Sequence, residues 1–124
     1  VSVLYPCVCC GYLVFDQLPG SFDLCSLCYW EDDSAQLRWP TLAGGANSPS
    51  LIDSQRNVQL LGAMESQFVA LVRRPGPGDV RDPGWRPFDP TTDRYLEPYD
   101  TSVELPSDWT RFYWWRPGYW LAPT

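Results

Sequence analysis

The chain has no histidine and no lysine, and a single methionine among its 124 residues. Without imidazole there is no histidine general base, no Ser-His or Cys-His nucleophile pair, and no mixed cysteine–histidine metal site. Without lysine there is no phosphate-loop ammonium and no Schiff-base amine. The cations that remain are nine arginines against 15 acids, a formal charge of −6. Such a surface repels phosphate backbones, and nucleic-acid binding by counterion release needs clustered cations; Arg73-Arg74 is the only adjacent pair. The first 62 residues hold Arg38 and Arg56 against Asp16, Asp23, Glu31, Asp32, Asp33 and Asp53, so the N-terminal half is acidic in its own right. Apolar runs fall far short of the ~20 residues of a membrane-crossing helix.

What the chain does have is five cysteines. Cys7-x-x-Cys10-Gly11 and Cys25-x-x-Cys28 are two pairs with 14 residues between them. Each pair can fold as a knuckle in which two sulfurs and several backbone N–H groups converge on one ion. Four tetrahedral thiolates suit zinc and close the site, so one structural Zn2+ per chain on Cys7, Cys10, Cys25 and Cys28 is expected. Gly11 follows the second ligand, where the lack of Cβ lets N–H groups turn toward sulfur. Pairing Cys7 with Cys9 leaves only one intervening residue and no such role for Gly11. Cys9 is therefore read as a spare, packed thiol. Disulfides would leave one of five cysteines over. The opening residues carry no charged-then-apolar leader, and the expected compartment is the cytoplasm.

The expected fold class is α+β within a single domain, 1–124. A zinc-ribbon-like knuckle module spans 5–33. Its hairpin pairs a strand at Tyr12-Leu13-Val14-Phe15 with Ser21-Phe22-Asp23-Leu24 across a Pro19-Gly20 turn, joining the two knuckles. From Glu31 to Pro49 the residues read as loop. A helical segment covers 50–73. Ser50 caps a helix from about Leu51 to Leu61, with Asp53 three residues on, and Gly62 ends it. Met64, Phe68, Leu71 and Val72 fall on one face of a second helix, which Pro75-Gly76-Pro77-Gly78 stops. Residues 79–124 carry prolines at 83, 87, 90, 98, 106, 117 and 123, which exclude long helices, together with five tryptophans. They read as an extended aromatic arm packed on the domain, with Phe112-Tyr113-Trp114-Trp115 as its best strand.

The strings Tyr5-Pro6-Cys7-Val8-Cys9-Cys10-Gly11-Tyr12, Cys25-Ser26-Leu27-Cys28-Tyr29-Trp30-Glu31-Asp32-Asp33, Gly44-Gly45-Ala46-Asn47 and Ser50-Leu51 resemble the bacterial cysteine-rich CPCC family. The resemblance runs over roughly residues 5 to 75, includes Arg56-Asn57 and Gly62-Ala63, and departs from the family name at Val8, where the pattern has proline. It implies a small zinc-binding domain, and such domains look like some immunity proteins encoded beside bacterial secreted toxins. Cys7-x-x-Cys10-Gly11-Tyr12 with Cys25-x-x-Cys28 also looks like a shortened rubredoxin, an iron electron carrier. Rubredoxins have glycine where this chain has Tyr29, and a longer segment between knuckles.

Other motifs weaken on inspection. Gly44-Gly45-Ala46-Asn47 lacks the lysine and hydroxyl residue of a phosphate loop. Cys9 has no adjacent cation or base to activate it. Asp79/Asp82 and Asp89/Asp93 lie among prolines, where carboxylates cap turns. The expectation is a non-catalytic protein, monomeric when free, that binds a protein partner. A basic toxin domain fits best, gripped by Trp30, Glu31, Asp32, Asp33, Trp114, Trp115 and Arg116. The competing functions are an iron electron carrier and a zinc-ribbon regulator that binds nucleic acid.

Overall fold

In the computed structural model, residues 3–123 are described. The elements run β1 (Tyr5–Pro6), β2 (Leu13–Phe15), α1 (Ser34–Arg38), α2 (Leu51–Leu61) and two 3-10 helices, Ser66–Leu71 and Trp109–Phe112. The class is α+β. No helix among the described residues is long and apolar enough to cross a membrane.

The hairpin differs from the one expected. β1 and β2 are antiparallel, Tyr5 opposite Phe15 and Pro6 opposite Leu13, with a register shift between Tyr5 and Pro6. The first knuckle is therefore the turn of this hairpin. Residues 21–24 do not pair with β2; Leu24 instead bridges Glu31 across the second knuckle. Each knuckle is itself a reverse turn that returns its flanks antiparallel, so the backbone groups are satisfied within each knuckle and not between them.

Two further expectations fail in the segments that follow. Residues 31–49 are not all loop, because Asp33 caps α1, accepting from Ala35 N at 2.8 Å and Gln36 N at 3.4 Å. Its other oxygen accepts from Ala46 N at 2.9 Å and so ties the Gly44-Gly45 turn to the cap. A helix of five residues is too short to show a hydrophobic period, which is why only its cap could have announced it. α2 begins and ends where its caps predict: Ser50 Oγ accepts from Asp53 N at 3.2 Å, and Gly62, at φ 85°, donates to Val58 O at 2.9 Å. The second helix is a single 3-10 stretch. Met64 is buried and Phe68 half-buried, but Leu71 is 61% exposed, so the four apolar residues do not share one buried face.

In the C-terminal arm Phe112-Tyr113-Trp114-Trp115 is not a strand. Asp108 caps a 3-10 turn through Thr110 N, and the chain then turns again at Trp114 and Trp115. Successive side chains of a strand alternate faces, whereas this turn buries Phe112, Tyr113 and Trp114 consecutively. Trp115 stacks on Tyr113, with centroids 4.8 Å apart. The arm docks on the first knuckle by main-chain bonds from Leu13 N to Val80 O and from Asp82 N to Gly11 O, each 2.8 Å. It is pinned further along by Arg116, whose Nε donates to Asp82 Oδ2 at 2.8 Å, while Trp115 Nε1 donates to the same oxygen at 2.7 Å. Burial alone would raise the Asp82 pKa, yet these donors bring it below the ordinary carboxylate value.

Candidate metal centre

The two knuckles repeat one hydrogen-bond pattern. In the first, Cys7 N donates to Tyr12 O at 2.8 Å and Gly11 N to Cys7 O at 2.6 Å. In the second, Cys25 N donates to Trp30 O at 2.9 Å and Tyr29 N to Cys25 O at 2.7 Å. Facing each other, they bring the sulfurs of Cys7, Cys10, Cys25 and Cys28 within 4.8 Å of one another. Cys7 Sγ is 3.6 Å from Cys28 Sγ and Cys10 Sγ is 3.8 Å from Cys25 Sγ. None of the five cysteines is in a disulfide, and these separations are far beyond a disulfide's ~2.05 Å. They match instead the sulfur–sulfur edge of a tetrahedron with metal–sulfur bonds of about 2.3 Å, which is about 3.8 Å. The four cysteines can hold a metal ion.

The electrostatics point the same way. Burial pushes the Cys7 and Cys28 thiols up, while hydrogen bonds from Cys10, Cys28 and Cys7 hold Cys25 well down. Four buried thiolates need a cation among them. Cys9 is 1% exposed but lies outside the four-sulfur group, and burial raises its pKa too.

Residues 5–79 match the family model described as Cysteine-rich CPCC. The chain belongs to the cysteine-rich CPCC family. No curated protein matches it at a significant level. In this CPCC chain the family's proline is Val8, 2% exposed, whose carbonyl accepts from Gln55 Nε2 at 3.0 Å and Trp85 Nε1 at 3.3 Å. α2 and the arm thus both clamp the first knuckle through one backbone oxygen. The second knuckle is tied to the segment after α2 by Met64 N to Cys28 O at 2.8 Å and Arg73 N to Ser26 O at 3.1 Å.

Gly11 and Tyr29 occupy equivalent positions, each just after the second cysteine of its knuckle. Both are left-handed, at φ 84° and 71°. At Gly11 a Cβ would also sit 2.3 Å from the Trp85 ring. Gly11→Ala is therefore expected to cost about 3 kcal/mol in chemical unfolding of the metal-loaded protein, of which about 1 kcal/mol is backbone strain. In a Trp85→Ala background only the backbone part should remain; an equal cost in both backgrounds would show the ring is not the obstacle.

Of the acidic-aromatic residues expected for partner binding, Trp30, Asp32, Asp33 and Trp114 are buried, while Glu31, Trp115 and Arg116 are half-buried. Trp30 is 0% exposed, with its indole N–H buried and unpaired, because it fills the core beneath the knuckles. Asp32 is buried and accepts from Ser21 Oγ at 2.7 Å; Asp33 is buried as the α1 cap. Trp114 is buried against Phe88, and Trp115 and Arg116 are committed to Asp82. Of the seven, Glu31 alone carries a half-buried carboxylate with no hydrogen bond or ion pair among the described residues. Sequence reasoning passed over Tyr29 and Phe68, whose rings stack at 4.4 Å. The signal was present in the bulky residue at a position that wants glycine.

Proposed function

We propose that this CPCC protein is a non-catalytic zinc protein that binds and neutralises a protein partner, a basic bacterial toxin domain. The observation that carries the reading is the closed cage of four sulfurs, each no more than 3% exposed. Four protein ligands fill a tetrahedral ion, and their burial leaves no position at it for water or substrate, so the ion supports the fold and does no chemistry. The acidic balance supports a basic protein partner approached by electrostatic steering. Four of the nine arginines, Arg56, Arg73, Arg86 and Arg116, are paired with aspartates, which lowers the cation density open to phosphate. Cytoplasmic residence and a monomeric free state complete the proposal.

Elemental analysis should give one zinc per chain; iron instead would favour the electron-carrier reading. Tagged protein returned to its native host should copurify with a toxin domain and suppress that domain's activity when the two are mixed. Tight DNA binding with steep salt dependence, in place of a protein partner, would overturn the assignment.

A further inference from the structure

Beside the second knuckle lies a cavity of about 100 Å³. Tyr29 and Phe68 form its aromatic wall, Glu31 and Glu65 contribute carboxylates, and Asn47 and Met64 complete it; no cationic side chain lines it. The wall exists at a conformational cost. Tyr29 stands left-handed where the first knuckle uses Gly11, a conformation unfavourable for a bulky side chain, and its ring is held there by the stack on Phe68. Glycine would make the same knuckle turn without strain; the tyrosine ring instead packs against the core and lines the cavity. Glu31 is mounted rigidly: its N–H donates to Asn47 Oδ1 and its carbonyl accepts from Asn47 Nδ2, both at 2.9 Å. Its carboxylate remains without a partner among the described residues, and among them the Glu65 carboxylate accepts only from Gln67 Nε2, at 3.1 Å. Leu24, 49% exposed, forms part of the cavity's apolar surround.

A stacked aromatic pair beside two uncompensated carboxylates is complementary to a planar, forked cation on an aliphatic stem. We infer that this cavity seats an arginine side chain of the protein partner, its guanidinium toward Glu31 and Glu65 and its stem along Tyr29 and Phe68. Lysine brings a compact ammonium without the planar fork of donors that two carboxylates can share, so the site favours arginine. The inference rests on the partner-binding reading above and places its anchor on the metal module, one residue from Cys28.

The test uses zinc-loaded full-length protein, titrated by two-dimensional NMR with capped pentapeptides of glycine around one central arginine, lysine or norleucine. The arginine peptide should shift Tyr29, Glu31 and Phe68 resonances and bind at least fivefold more tightly than the lysine peptide, with norleucine not binding. Glu31→Gln should weaken the arginine peptide about tenfold. Phe68→Leu, which keeps apolar volume and removes the flat ring, should weaken it about threefold. Zinc content and the amide spectrum check that each variant is folded. No binding, equal binding of norleucine or lysine, or an unaltered affinity in Glu31→Gln each overturns the inference. The two readings fail separately: a native partner captured equally by wild type and Glu31→Gln sinks the cavity and leaves partner binding standing. A host with no partner sinks partner binding, while the peptides still decide the cavity.

Discussion

Stripping the ion from the metal-loaded protein with a strong chelator is expected to unfold it, not merely loosen one end. The strands are two and three residues long, and α1 has five residues. None of these is stable alone, and the knuckles they flank form one wall of the core. Structural zinc contributes on the order of 10 kcal/mol, comparable with the whole net stability of a domain this size. Its loss should spread, because Val8 O, Cys10 O, Ser26 O and Cys28 O are the acceptors on which α2, the arm and residues 64–73 hang. Cys10→Ser and Cys28→Ser should act like the chelator, whereas Cys9→Ser, outside the four-sulfur group, should keep one ion and shift the melting temperature only slightly. Circular dichroism alongside colorimetric zinc release measures both. An ion removed without change in spectrum or melting temperature would show that the core stands without it. An ion lost from Cys9→Ser and retained in Cys10→Ser would reassign the ligands.

The elements legible in the sequence were those set by local chemistry. α2 was readable because its stop and start are single residues with mechanisms: the Ser50 hydroxyl for an orphan N–H and the left-handed Gly62 for the last carbonyls. The cysteine cluster was readable because spacing fixes what two knuckles can bring together. What the pattern hid was set by tertiary pairing. Ser21–Leu24 alternates well enough for a strand, but Ser21 N and Phe22 N donate to Asp32 and Asp23 N to Ser21 Oγ, so alternation gave the wrong partner. Glu31-Asp32-Asp33 reads as one solvated triplet; in the fold Asp32 anchors the Ser21 turn, Asp33 caps α1, and Glu31 alone keeps a free carboxylate. Consecutive aromatics at 112–115 look like a strand by β propensity, yet a 3-10 turn buries neighbouring rings that a pleated strand would place on opposite faces.

Gln36→Leu should destabilise the protein by about 3 kcal/mol with the metal retained, and no sequence feature marks the residue as special. Gln36 is 0% exposed at the centre of the 31–50 segment. Its Nε2 lies 3.0 Å from Leu42 O, 3.0 Å from Asn47 O and 3.1 Å from Pro49 O, so two hydrogens are shared among three carbonyls. Its Oε1 accepts from Asn47 N at 3.0 Å and Asn47 Nδ2 at 2.9 Å. One amide thereby satisfies a turn that has no sheet or long helix to satisfy it. Leucine nearly matches the volume and gains roughly 1–2 kcal/mol of apolar transfer. Against that, each buried group left unpaired costs about 1–3 kcal/mol, and several are released at once, so the loss prevails. Gln36→Glu keeps both acceptor contacts but cannot serve the three carbonyls, and it buries a charge; it should be at least as harmful. Urea unfolding at fixed free zinc, with metal content measured on the same samples, separates this from a ligand defect. A Gln36→Leu cost below about 1 kcal/mol would mean that water replaces the amide, and that the 31–50 segment is not held from its centre.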